Sequence, residues 1–414
     1  MARVLILCKG YPGAISSGEF LRTQNFCREV AARHESYLVF FDESHSVQHP
    51  EQDLGVKAWQ SLSPIPTQGR SRRRLLRFSN ARFLELSVPE YVAETRNKIQ
   101  DLCELWDIEV ILCLSLGTAE IVVPFNLPKI LDYCDSATLT LQRVLSHRGK
   151  DFSLLERTNL NLRKLRQGFL ERTFVRAFDC TTTISEADKR SFVEVAQVPH
   201  DKVSVIPNGV AEEALNAGQR ARDHRRSVVF WGNLDFPPNW TAVEYFFNNI
   251  YRPHLVQEDI EWHIYGRGAS QSIEQIARHE GIFLHGYVDD LFSEVAKQGV
   301  MINPMVEGSG LKNKVLEAFA CRVPVVSTSL GIEAIDASPG LHYVQADAPE
   351  EFAKAICSLL ADRDYASRIA EDARLLVESK FRWSVIGDQL GSVVNGVLNR
   401  KFDNAVGAVQ SGNK

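Results

Sequence analysis

Residues 300–332 read VMINPMVEGSGLKNKVLEAFACRVPVVSTSLGI, and no other stretch limits the fold as tightly. Positions 300–303 form a short, mainly apolar run, 304–310 a glycine-bearing loop, 311–320 have helical composition, and 323–327 are a second apolar, β-branched run. The order is strand, loop, helix, strand. The chain also opens on a continuous apolar run at 4–8, as expected of a strand in a parallel sheet covered on both faces.

The chemistry of the stretch lies where the loop meets the helix. Gly308 and Gly310 bring the backbone to a helix start, where four N–H groups lack intrahelical partners and the macrodipole is positive. Lys312 and Lys314 add full positive charge where carboxylates are normally preferred, so they oppose the dipole unless an anion arrives. That misfit points to a phosphate site, with Ser309 and Leu311 in its backbone. Asn313, Lys314 and Glu317 fall on one helical face, and a carboxylate beyond a phosphate site suits a ribose diol. A solvated Lys314–Glu317 pair of small energetic weight is the competing reading.

With its glycine loop, helix start and the run Glu317-Ala318-Phe319-Ala320-Cys321-Arg322-Val323-Pro324-Val325-Val326, this stretch resembles the donor motif of GT-B fold glycosyltransferases, specifically the retaining family 4. In that family two glutamates stand eight residues apart. Here Glu317 matches the second; Ser309 stands eight before it, and the nearest acid is Glu307, ten before. Further segments match in order: VSVIPNGV at 203–210, FWGNL at 230–234, YGRG at 265–268 and HGYVDD at 285–290.

The resemblance implies an α/β protein with two facing Rossmann-like domains, and 414 residues are ample for two cores. The expected division is an acceptor-binding domain over 1–207, a nucleotide-sugar donor domain over 208–380, a helix over 381–402 crossing back to the first domain, and a tail over 403–414. It implies retaining transfer of a sugar from a nucleotide diphosphate sugar to a glycan or lipid-linked acceptor, in polysaccharide or glycolipid assembly. An epimerase acting on nucleotide sugars and a non-catalytic nucleotide-sugar binding subunit are the alternatives. Lys312, Lys314, Glu307 and Asp135 are the catalytic candidates. Gly232, Asn233, Arg267, Tyr287 and Val288 join the loop and Glu317 around the donor. Gly13, Gly18, Arg22 and Asp132 stand on the acceptor side. No Asp-x-Asp occurs in a metal-ligand context, so no metal and no cofactor are expected.

A net charge of −5 argues against general nucleic-acid binding. The eight cysteines have neither C-x-x-C pairing nor metal-ligand spacing, which reads as reduced thiols in a cytoplasmic protein. No window reaches 18 uncharged apolar residues, and the N-terminus reads as a first strand rather than a signal peptide.

Further helices are expected over 89–105, opening on Pro89, and over 151–178, 349–362 and 364–380, with Asn239 and Asp289 as caps and Asp135 as a helix starter. Residues 44–88 lose all periodicity. Within them Arg70, Arg72, Arg73, Arg74, Arg77 and Arg82 interleave with Leu75, Leu76, Phe78 and Phe83. Such a segment reads either as a peripheral contact with an anionic membrane or as a solvated loop.

Overall fold

The computed structural model describes residues 1–12, 18–42, 50–66, 82–148, 152–219, 225–308 and 310–411. The chain divides into two compact units, one of Met1–Leu145, Gly149–Pro207 and Ile386–Lys414, the other of Asn208–Val385 with Ser146–Arg148.

The first unit holds seven parallel strands: β1 (Arg3–Cys8), β2 (Glu35–Phe41), β3 (Ala58–Leu62), β4 (Val110–Cys113), β5 (Lys129–Cys134), β6 (Cys180–Thr183) and β7 (Val203–Val205). Their order is β3-β2-β1-β4-β5-β6-β7. β1 and β4 pair through Val4 with Val110 to Leu7 with Cys113, and every residue of β4 is buried. Runs buried on both faces explain why these strands read as unbroken apolar sequence. The edge strand β3 was not expected, because AWQSL is short and half exposed and its polar Gln60 and Ser61 break the pattern. It registers on β2, and Trp59 stacks on Phe40 at 5.7 Å.

The second unit holds six parallel strands: β8 (Ser227–Trp231), β9 (Glu261–Tyr265), β10 (Ile282–Gly286), β11 (Val300–Asn303), β12 (Val325–Ser327) and β13 (Val344–Gln345). Their order, β10-β9-β8-β11-β12-β13, repeats the scheme of the first sheet. Successive residues of β8 alternate between two cores, Val228 and Phe230 entering one and Val229 and Trp231 the other, so helices cover both faces.

Helix starts correct several sequence expectations. The Pro89–Leu105 helix has its proline in the first turn as expected. Ser136, not Asp135, caps the Ala137–Arg148 helix, accepting from the Leu139 N–H at 3.1 Å. Asp290, not Asp289, caps Leu291–Val295. Asn239 lies inside the Pro237–Tyr245 helix, which starts two residues earlier. The last helix runs Trp383–Ser411, well past the tail expected from 403. From Ile386 onward it belongs to the first unit, where Arg33 pairs with Asp388 at 2.8 Å and Ile386, Leu390, Val394 and Val397 are buried.

Candidate active site

β8 and β11 lie side by side in the second sheet, but the chain continues from β8 toward one edge and from β11 toward the other. A parallel sheet opens a crevice at such a reversal, beyond the carboxyl ends of its strands. Both sequence-predicted donor loops leave there: Gly232-Asn233 follows β8, and 304–310 follows β11.

The turn after β8 is built for close backbone approach. A side-chain carbon on Gly266, at the end of β9, would fall 1.9 Å from the Gly232 carbonyl oxygen, so neither turn has room for one. Asn233 is exposed, and its carbonyl accepts from the Asn239 amide at 2.9 Å. Across the crevice, Gly308 takes φ +108°, a conformation costly to any other residue, and packs against Pro238; Gly310 also has positive φ. Ser309 lies outside the described residues.

The helix that follows runs Asn313–Ala320, two residues shorter at its start than the composition suggested. Lys312 sits at its N-cap, with its ammonium on the Gly310 carbonyl at 3.1 Å. Among the described residues, no side chain caps this helix. Lys314 reaches back across the crevice: its Nζ donates to Asn239 Oδ1 at 2.6 Å and lies 4.0 Å above the Phe230 ring. Burial first, and the Lys312 charge second, hold the Lys314 ammonium down to about 7, against the pull of Glu317. A cation held beside an uncapped helix start is electrostatically incomplete, and an anion would complete it.

Glu317 accepts the indole N–H of Trp231 at 2.8 Å, and burial raises its carboxyl above the ordinary value. Glu307 accepts from the Thr241 hydroxyl at 2.9 Å. Asn208 donates to Asn313 Oδ1 at 3.1 Å, tying the Pro-Asn-Gly turn to the first residue of this helix. Trp231 stands in the FWGNL segment and Asn239 was expected only as a helix cap, but their bonds to Glu317 and Lys314, like that of Thr241 to Glu307, are not legible in the sequence. Only the fold brings their polar atoms to Glu317, Lys314 and Glu307.

At the ends of β9 and β10, the Arg267 guanidinium lies 3.9 Å over the Tyr287 ring, both exposed. Val288 and Leu311 are partly buried and pack against the core. The structure thus gathers Gly232, Asn233, Gly308, Gly310, Leu311, Lys312, Lys314 and Glu317 around one crevice, with Glu307 on the loop beside it.

In the first unit the acceptor-side candidates separate. Arg22 and Asp132 form a buried, two-pronged pair, Nε and Nη2 each 2.8 Å from a carboxylate oxygen, and Thr182 donates to the same carboxylate at 2.7 Å. They face each other inside the protein. Asp135 is exposed, Gly18 opens the Gly18–Ala31 helix, and Gly13 lies outside the described residues. A cavity of about 290 Å³ opens instead at the reversal between β1 and β4, lined by Lys9, Gly10, Thr23, Asp42 and Ser115. Among the described residues, no three His, Cys, Asp or Glu side chains group to hold a metal ion.

Comparison with known proteins adds three findings. Residues 225–362 match the family model described as glycosyl transferases group 1, and residues 145–214 that of glycosyltransferase family 4. An uncharacterised 44.6 kDa protein of the cps region of Klebsiella pneumoniae is 27% identical over 169 residues, 38% of this chain and 43% of that protein. An uncharacterised glycosyltransferase of Methanocaldococcus jannaschii is 26% identical over 235 residues, 51% of this chain and 58% of that one. The chain therefore spans about half the length of these relatives. Among solved structures, Anabaena HepE in complex with UDP-glucose matches with a TM-score of 0.63 at 14% identity, over 96% of this chain and all of that one. A variant of S. aureus TarM in complex with Fondaparinux, alpha-GlcNAc-glycerol and UDP matches with 0.65 at 11% identity, over 96% of this chain and all of that one. The likeness spans both units and shows the GT-B fold.

Proposed function

We propose that this group 1, family 4-type glycosyltransferase of GT-B fold moves a sugar from a nucleoside diphosphate sugar to a glycan or lipid-linked acceptor, with retention at the anomeric carbon and without a metal ion. One observation carries the reading: at the strand reversal of the second unit, Lys314 and an uncapped helix start face a glycine-lined crevice.

Departure of a nucleoside diphosphate leaves negative charge on the phosphate oxygens. Fixed cations and backbone N–H groups stabilise such charge without reorganising. Lys314, Lys312 and the amides of 310–314 are the groups available for it. Glu317, held by Trp231, is oriented for the ribose hydroxyls, and Glu307, held by Thr241, for the sugar hydroxyls. The Arg267–Tyr287 pair and the backbone at Val288 suit the base. On the acceptor side, Asp135 and the Lys9, Thr23 and Ser115 cavity are the polar groups available, with the Arg22–Asp132 pair beneath them as support. HepE and TarM were solved with UDP or UDP-glucose, which makes UDP the first nucleotide to try. The eight cysteines are all unpaired, which suits the reducing cytoplasm.

A thermal-shift series with UDP, GDP and ADP tests the reading. One of them raises the melting temperature of the wild type, and Lys314→Gln removes the shift while the ligand-free protein melts no lower than wild type. With the matching sugar nucleotide and a glycan or lipid acceptor pool, diphosphate release continues at the same rate in EDTA. No stabilisation by any nucleoside diphosphate would end the donor assignment; loss of turnover in EDTA would end the metal-free mechanism.

A further inference from the structure

Asn239 is held from two sides by atoms that leave its amide one orientation. Its Nδ2 donates to the Asn233 carbonyl at 2.9 Å, and its Oδ1 accepts from the Lys314 ammonium at 2.6 Å. A carbonyl can only accept and an ammonium can only donate, so a flipped amide would set like against like at both ends. The side chain is buried, on the third residue of the Pro237–Tyr245 helix, whose first two positions are prolines. Asn239 thus ties the turn after β8 to the helix on the far side of the crevice.

The grip on Lys314 is tight and electrically neutral. A side-chain carbon on Gly232 would fall 2.7 Å from Asn239 Nδ2 and 3.3 Å from Lys314 Nζ, so the bare Gly232 turn borders both groups. The Phe230 ring centre lies 4.0 Å from the ammonium. An ammonium carries three N–H donors, and among the described residues Asn239 is the single hydrogen-bond acceptor of Lys314, which leaves two donors for a ligand. Lys312 and Glu317 are the charged groups that act on Lys314, with opposite sign. β8 and the Pro237–Tyr245 helix present it only with an aromatic face and a neutral amide. An aspartate in place of Asn239 would close an ion pair and satisfy the cation from within. The asparagine orders the lysine stem, whose rotamer freedom a ligand would otherwise have to remove, and leaves its charge uncompensated.

We propose that Asn239 is a positioning residue: it aims the Lys314 ammonium at the phosphates of the nucleotide and, having no charge, leaves that ammonium for the phosphates to neutralise. This assignment rests on the nucleoside diphosphate reading of the crevice and adds to it a residue that acts only through Lys314.

Isothermal titration of the full chain with the nucleoside diphosphate that stabilises it best, at pH 7, 8 and 9, tests it. In the wild type the ligand holds the Lys314 proton, so affinity falls as pH rises through that range and binding at pH 8 takes up a proton. Asn239→Asp, nearly isosteric, keeps Lys314 protonated without ligand; its affinity is more than tenfold weaker at pH 7, flat to pH 9, and free of proton uptake. Asn239→Ala releases the ammonium from its aim but adds no charge, so affinity falls about tenfold while the pH slope and the uptake remain. In turnover by the alanine variant, kcat falls by a larger factor than the donor KM rises, because the charge that Lys314 meets is fullest as the diphosphate departs. Should the aspartate variant misfold, the cycle of Asn239→Ala with Lys314→Gln decides: once Lys314 is gone, Asn239→Ala changes the affinity less than about twofold. A folded Asn239→Asp variant with wild-type affinity and pH slope overturns the proposal, as do alanine and glutamine effects that add in full. Either result leaves the donor reading standing as long as Lys314→Gln weakens binding, whereas a wild type that binds no nucleoside diphosphate ends that reading and this assignment together.

Discussion

Lys314 is a cation that the ligand-free fold tolerates rather than favours. Its folded value of about 7 lies below the 10.5 of an unperturbed lysine. Between those values the unfolded chain holds the proton and the folded chain does not, so Lys314 makes stability rise with pH across that window; below it the cost of the buried charge is present in full. Lys314→Met should therefore raise the melting temperature of the ligand-free protein at pH 6 to 7 and flatten its increase toward pH 9, as measured by calorimetry. A bound diphosphate reverses the preference. Binding at pH 8 should take up a proton, visible as a difference in apparent enthalpy between buffers of unlike ionisation enthalpy, and Lys314→Gln should abolish it. At Glu317 the indole N–H of Trp231 supplies a hydrogen bond to a buried carboxylate. Losing such a bond costs about 1.5 to 3 kcal/mol. Trp231→Phe is accordingly expected to raise the donor KM roughly tenfold or more while kcat changes less. Lys312 and Lys314 were visible in the sequence because their charge opposes the helix start, and Glu317 because it shares a face with Lys314 and matches the family's second glutamate. The bonds of Trp231, Asn239 and Thr241 were not, because a tryptophan ending a strand or an asparagine inside a helix is ordinary until its partner is known.

Among the elements, the legible ones include strands buried on both faces and long helices such as Pro89–Leu105, Leu154–Ala177 and Arg363–Lys380. β1 and the Pro89–Leu105 helix fall where the sequence put them. The edge strand β3 did not, since half its side chains meet water and its pairing is fixed by β2 alone. Caps slipped by one residue, from Asp135 to Ser136 and from Asp289 to Asp290, where two neighbouring polar residues could each supply the acceptor. The Arg22–Asp132 pair shows the reverse case, polar residues beside a glycine loop that serve the joint between the Gly18–Ala31 helix and β5. Asp132→Asn should leave the Arg22 charge buried without a counter-charge and cost about 3 to 5 kcal/mol, read as a lower melting temperature. Arg374 plays a comparable part in the second unit, donating to the Ala320 carbonyl at 2.6 Å and the Leu215 carbonyl at 2.8 Å at the end of the Asn313–Ala320 helix. Arg374→Met strands both carbonyls and should destabilise that unit by about 2 to 4 kcal/mol in denaturant unfolding.

For the whole molecule, the repeated strand order was implied by the family likeness and is present in both sheets. The final helix departs from expectation in its length and in what depends on it. Ile386, Leu390, Val394 and Val397 are sealed against the first unit. At about 1.5 to 3 kcal/mol for each buried side chain, their removal forfeits on the order of 6 to 12 kcal/mol, as much as a domain's whole stability. A chain cut after Val385 should keep a cooperative transition for the second unit and lose that of the first, followed by hydrogen exchange. The same helix also imposes a schedule on biosynthesis. Domains usually mature in the order in which they leave the ribosome. Here the amino-terminal half needs a piece encoded beyond its neighbour, so the later half is expected to reach its final packing first.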